Sequence, residues 1–92
     1  MTDKEDNKEE LEELIYEGRI SGVFHGFRNH DSIFKFSGGS AWRQIEYLFE
    51  YHHLYSPKAR ILKLIDKVTR RERFFIEVDG VTTRAEVKSS YA

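Results

Sequence analysis

The sequence predicts a mostly β protein: a small SH3-like or OB-like antiparallel barrel of five or six strands, preceded by one N-terminal α-helix. Three observations carry this expectation. From residue 19 onward apolar side chains recur at every second position, as in "ISGVFHGF", "SIFKF", "AWRQIEY" and "RFFIEV". Short turn-forming pieces, "NHD", "SGGS", "SP", "VTRRE" and "DG", separate these runs. Finally, 92 residues with 39% apolar and 14% aromatic content hold a single modest core, and a small β domain removes its open strand edges best by closing on itself.

The chain divides at Gly18, into an acidic tail with a short helix over 1–18 and a barrel over 19–92. Residues 1–18 carry eight acids against Lys4 and Lys8, a net of −6, whereas residues 19–92 carry 13 bases and 8 acids, a net of +5. An acidic leader thus precedes a mildly basic body, an asymmetry that fits leader and body attracting each other, both being simply solvated, or a basic binding surface. "NKEELEELIYEG" predicts the helix: Asn7 caps its start, Glu9 and Glu10 sit in the first turn where the helix dipole favours acids, and Gly18 stops it. Leu11, Leu14 and Ile15 form a narrow apolar stripe, and so short a helix holds only if that stripe docks on the body or on another chain. Residues 1–6 are expected to be mobile.

After Gly18 the period is two. "ISGVFHGF" alternates Ile20, Gly22, Phe24 and Gly26 against Ser21, Val23, His25 and Phe27, and "NHD" turns the chain into "SIFKFS". The glycines of "SGGS" supply the backbone angles of a tight hairpin, pairing "SIFKF" with "AWRQIEY". Ser56 and Pro57 split the run from Tyr47 to Asp66 into two strands, because proline cannot donate to a ladder. "RFFIEV" and "VTTRAEV" join at Asp79-Gly80, a strong hairpin signal, with Phe74, Ile76, Val78, Val81, Thr83, Ala85 and Val87 facing inward.

The stretch "YLFEYHHLYSP" carries the most distinctive pattern, with Tyr47, Phe49, Tyr51, His53 and Tyr55 at alternate positions. Eight steps at about 3.3 Å span about 26 Å, against about 17–20 Å for an ordinary strand. One small barrel cannot bury such a row. Some members must emerge at an end, bend with a bulge or lie under the helix stripe; the rings are then core plus helix-docking surface, with Tyr51 inside, or an emergent end beside Trp42, Arg43 and Arg60 forms the candidate binding surface.

Other chemistries lack their residues. No cysteine is present, which excludes disulfides and thiolate metal sites and fits a reducing cytoplasm. The acidic N-terminus "MTDKEDNKEELEELIYEG" has no apolar run of signal-peptide or membrane length. Adjacent His52 and His53 point to opposite faces of a strand and cannot share an ion; His25 and His30 flank a turn without a recognisable carboxylate shell. There is no Gly-x-Ser-x-Gly elbow, Glu46 and Glu50 have the spacing of ordinary solvated carboxylates, and "SGGS" leads into a strand instead of a phosphate-binding helix. No catalytic residue, metal ligand or cofactor is assigned.

"ISGVFHGFRNHDSIFKFSGGSAWRQ", the alternating aromatics, "SPKARI" and "FFIEVDG" together resemble a widespread family of small uncharacterised bacterial proteins, over roughly residues 18–88. The resemblance rests on Gly26 with Phe27, Ile33 to Phe36, Trp42, Gln44, the row from Tyr47 to Tyr55, Pro57, Lys58 and Ile61. It implies a small β-barrel and no activity. Phe27 stands where a tryptophan is usual, "SGGSAW" replaces an Asn-Gly-Gln type of turn, and His53 interrupts the tyrosine row, which puts in doubt any role needing a tyrosine there.

The resulting expectation is a bacterial, cytoplasmic, non-enzymatic interaction module that binds a protein partner or a second copy of itself. The alternative is a single-stranded nucleic-acid binder, using the aromatics with Arg43, Lys58, Arg60, Lys63, Lys67, Arg70, Arg71 and Arg73. Acids interleaved at Glu46, Glu50, Asp66 and Glu72 weigh against it.

Overall fold

The alternating pattern beyond Gly18 is realised as strands, and a further strand forms where a helix was expected. The computed structural model describes residues 10–29 and 31–90; the Asn7 cap, Glu9, the expected mobility of residues 1–6 and His30 of the "NHD" turn lie outside the described residues. The elements are β1 (Glu10–Arg19), β2 (Val23–Arg28), β3 (Ile33–Lys35), β4 (Ala41–Gln44), β5 (Phe49–Tyr55), β6 (Lys58–Asp66), β7 (Glu72–Val78) and β8 (Ala85–Ser89). They form a six-stranded sheet in the order β1-β6-β7-β8-β4-β3 and a two-stranded ribbon, β2-β5, with every pair antiparallel.

The N-terminal helix is corrected to β1. A helix this short is marginal alone, whereas β6 offers a ladder that reaches from Glu10 opposite Asp66 to Arg19 opposite Lys58. The helical stripe is dispersed as a result. Leu11 lies opposite Ile65 and Leu14 opposite Leu62, on different faces, with the register shift at Ile15 between Leu14 and Tyr16. All three remain at least one-third exposed.

The barrel is corrected as well, because the two sheets do not close into one. The Ile20–Phe36 bridge, with Ser21 N donating to Lys35 O and Ser37 N to Arg19 O, joins the chain after β1 to the end of β3. Beyond that stitch β2 and β3 diverge around a cleft of about 210 Å³ lined by Val23, His25, Arg28, Ser32 and Lys35 among others. A three-residue β3 is too short to carry a ladder across. The expected two-residue Asp79-Gly80 hairpin also opens: Ile76 faces Ala85, so residues 79–84 form a longer connection, although Ile76, Val78, Ala85 and Val87 are buried as expected. The "SGGS" turn does join β3 to β4, with Phe36 N donating to Ser40 O at 2.9 Å.

The main core lies between sheet and ribbon. Phe24 and Phe27 from β2 meet Phe34 and Phe36, with Ile61, Ile76, Val78, Ala85 and Val87 filling the large-sheet side. Rings of Phe24, Phe27 and Phe34 pack edge-on or tilted at 5.5–6.0 Å. This geometry adds attraction beyond burial.

Two details fix where β5 lies. Gly26 has φ of 101°, and a Cβ there would stand 2.0 Å from the Glu50 carbonyl oxygen. The register between β2 and β5 shifts just there, between Phe24 opposite Leu54 and Gly26 opposite Tyr51. Only glycine allows both the backbone angle and the approach. The second detail is Gln44, fully buried, whose Nε2 donates to Glu46 O at 2.8 Å and Leu48 O at 3.1 Å and so clamps the segment that launches β5.

Two expected outcomes follow from these contacts. Gly26→Ala should cost more than about 3 kcal/mol in chemical denaturation, whereas Gly39→Ala, at φ 107° but with open space around it, should cost about 1 kcal/mol; equal costs would show that close approach is not the constraint. Gln44→Leu should lose about 1–3 kcal/mol by leaving two carbonyls without this donor, and Gln44→Glu should lose more at neutral pH because it sets a carboxylate against them; the same denaturation midpoints rank the two.

Candidate interaction surface

β5 is short enough to lie flat along one side of the molecule, and its alternation never breaks. Leu48, Glu50, His52 and Leu54 turn inward, and the aromatic row turns outward. Tyr47 is 75% exposed, Phe49 60%, Tyr51 74% and Tyr55 80%, with His53 exposed between them. The expectation that Tyr51 lies inside is therefore corrected: the middle of the row is as open as its ends. The register shift sets His25 of β2 against both His52 and His53 of β5, and beside it Gly26 lets Phe24 and Phe27, three residues apart, both point to the core. Tyr47 and Phe49 rings meet edge-on at 5.5 Å, and His53 meets His25 of β2 at 5.9 Å.

The remaining candidate residues lie elsewhere. Trp42 is in the core, its ring 5.6 Å from Phe74, and its neighbour Arg43 points outward from the large sheet between Ile33 and Lys88. Arg60 bonds Asp79, lies 3.5 Å from Glu77 and 3.6 Å from Glu17, and these acids, Asp79 first, raise its pKa. The structure thus brings together Tyr47, Phe49, Tyr51, His53 and Tyr55 and leaves Trp42, Arg43 and Arg60 outside the group. Two residues not expected in the site belong to it: His25, and Arg28, which lies directly opposite Phe49. Their signal in the sequence is the short spacing from the core residue Phe27, but only the register reveals the partner.

Two other cations named for nucleic acid are matched by acids on the large sheet. Lys63 faces Glu72 at 3.9 Å and Arg73 pairs with Glu86 at 3.2 Å, an interaction that raises the Arg73 pKa. Arg73 and Arg84 also sit over the Phe75 ring, 5.1 and 5.0 Å from its centroid, and roof a second apolar cluster of Leu62, Leu64 and Phe75. Within β2 and β5 the one lysine or arginine is Arg28.

His52 and His53 do point to opposite faces. His52 stacks on Phe24 at 6.1 Å, and its Nε2 lies 3.5 Å from Glu50 Oε2. Glu50 Oε1 is buried without a hydrogen-bond partner among the described residues, and His52 Nε2 likewise lacks one of good geometry. No group of three or more His, Asp or Glu able to hold a metal ion occurs among the described residues, and no described helix is long and apolar enough to cross a membrane. In comparisons with family models, curated proteins and solved structures, nothing matches this chain.

Proposed function

We propose that the chain is a non-enzymatic interaction module of the cytoplasm that binds a protein surface, its own or another's, through the outer face of β5. The carrying observation is the unbroken outward row from Phe49 to Tyr55 on a ribbon whose other face is committed to the core. Exposed large rings have no folding role that requires them to be side by side, and tyrosines and phenylalanines of this kind supply wide contact area with little rotamer freedom to lose. Nucleic-acid stacking would use the same rings but needs a track of cations beside them. Arg28 alone in β2 and β5 is a thin track, and three arginines of the large sheet, Arg60, Arg73 and Arg84, are engaged with acids.

The test separates surface from scaffold. Tyr51→Ser combined with Tyr55→Ser should shift stability by under about 1 kcal/mol, while weakening association at least about tenfold. A loss of several kcal/mol would make the row structural and overturn the proposal. Titration with a labelled oligothymidine at low salt should give no saturable binding; saturable binding that Arg28→Ala abolishes would favour the nucleic-acid reading.

A further inference from the structure

An antiparallel ladder turns alternate residues of a strand to opposite edges. Asn29 N donates to Leu48 O at 3.0 Å and Ser56 N to Gly22 O at 2.7 Å, so the even-numbered residues of β5 turn their amides and carbonyls toward β2. Phe49, Tyr51, His53 and Tyr55 therefore aim theirs at the other edge, and β5 pairs with no described strand there. The residues that present the rings are also those that present unpaired backbone. Such an edge is a template for another strand.

Resting on the interaction reading above, we propose that the occupant of this edge is β5 of a second copy, added antiparallel about a two-fold axis at Tyr51. The argument is self-complementarity. With the axis at Tyr51, that ring meets the partner's Tyr51, Phe49 meets the partner's His53, and Tyr47 meets the partner's Tyr55. On the inner face Leu48 meets the partner's Leu54, and Glu50 meets the partner's His52. The last pairing brings a second imidazole to Glu50, whose Oε1 has no hydrogen-bond partner among the described residues, and a second carboxylate to His52, which within its own chain lies only 3.5 Å from Glu50 Oε2. Neighbouring registers do worse. An axis at Glu50 opposes two carboxylates, and an axis at His52 opposes two imidazoles and sets Glu50 against the partner's Leu54. In the Tyr51 register each strand offers the other the same patch, as a closed two-fold interface requires. β1, the edge of the large sheet that no other described strand pairs, also exposes Leu11, Leu14 and Ile15, but Glu12, Glu13 and Glu17 interleaved with them suit it less to a second copy of itself.

The absence of cysteine makes the register directly measurable. In full-length single-cysteine variants treated with a short bifunctional maleimide, Tyr51→Cys should crosslink to a dimer rapidly. Phe49→Cys and Tyr55→Cys should not, because their equivalents lie about 13 Å and about 26 Å away along the strand at about 3.3 Å per residue. Sedimentation of the native chain should show a monomer–dimer equilibrium, weakened at least about tenfold by His52→Glu and recovered when Glu50→His is added to it. A native chain that sediments as a monomer up to about 1 mM, or a Tyr55→Cys that crosslinks as fast as Tyr51→Cys, overturns the dimer. The outcomes separate the two proposals: a monomer whose Tyr51/Tyr55 variant is stable but loses a heterologous partner sinks only the dimer. Loss of stability in that variant sinks the interaction surface itself.

Discussion

The close approach of β2 and β5 at Gly26 is the constraint on which the remaining architecture turns. The register shift sets one residue of β2, His25, against two of β5, His52 and His53, and it falls where the φ of Gly26 reaches 101°. Phe24 and Phe27 both reach the core because of that break, and the aromatic cluster with Phe34 depends on both. A side chain at position 26 would collide with the Glu50 carbonyl and separate the strands. The exposed row and the buried cluster are therefore two results of one backbone irregularity.

The two outer faces of the molecule are finished differently. On the large sheet, Leu62, Leu64 and Phe75 form an apolar patch that the guanidinium planes of Arg73 and Arg84 cover, and acids from neighbouring strands neutralise those cations: Glu86 for Arg73, Glu77 and Glu12 for Arg84. Exposed ion pairs of this sort add little stability individually, but together they hold the covering side chains in place. Among the described residues no equivalent cover lies over Phe49, Tyr51 and Tyr55. A chain able to screen one apolar patch with arginine and glutamate has left the other bare.

Strand positions were legible because each depended on short-range pattern: alternation, the Ser56–Pro57 break and the glycine turn before Trp42. What escaped the sequence depended on partners distant along the chain. "EELEELIYEG" carries helical spacing and helix-favouring acids, and only the ladder offered by β6 converts it to a strand. Closure into a barrel was inferred from the liability of open edges, but β3 spans three residues and β2 diverges from it, so edges remain. Period-two spacing set the rings of β5 on one face without saying which face looks inward; the choice falls to Leu48, His52 and Leu54, which pack inside in their place. Trp42 and Gln44 form a conspicuous motif whose use is internal, one filling the core and the other holding the approach to β5.

The carboxylates along β1 have a consequence for the geometry of assembly. A molecule with two long strand edges, both able to accept a neighbour, is a repeating unit for an endless fibre, since each addition leaves a fresh edge exposed. Glu12, Glu13 and Glu17 lie along one such edge, Glu12 and Glu17 beside Arg84 and Arg60 of their own chain and Glu13 exposed, whereas the odd-numbered residues of β5 carry rings and a histidine instead. In the proposed dimer, growth through β5 would end once two identical edges had met, and charge along β1 would oppose growth in the other direction. In that assembly the acidic strand would act as a chain terminator.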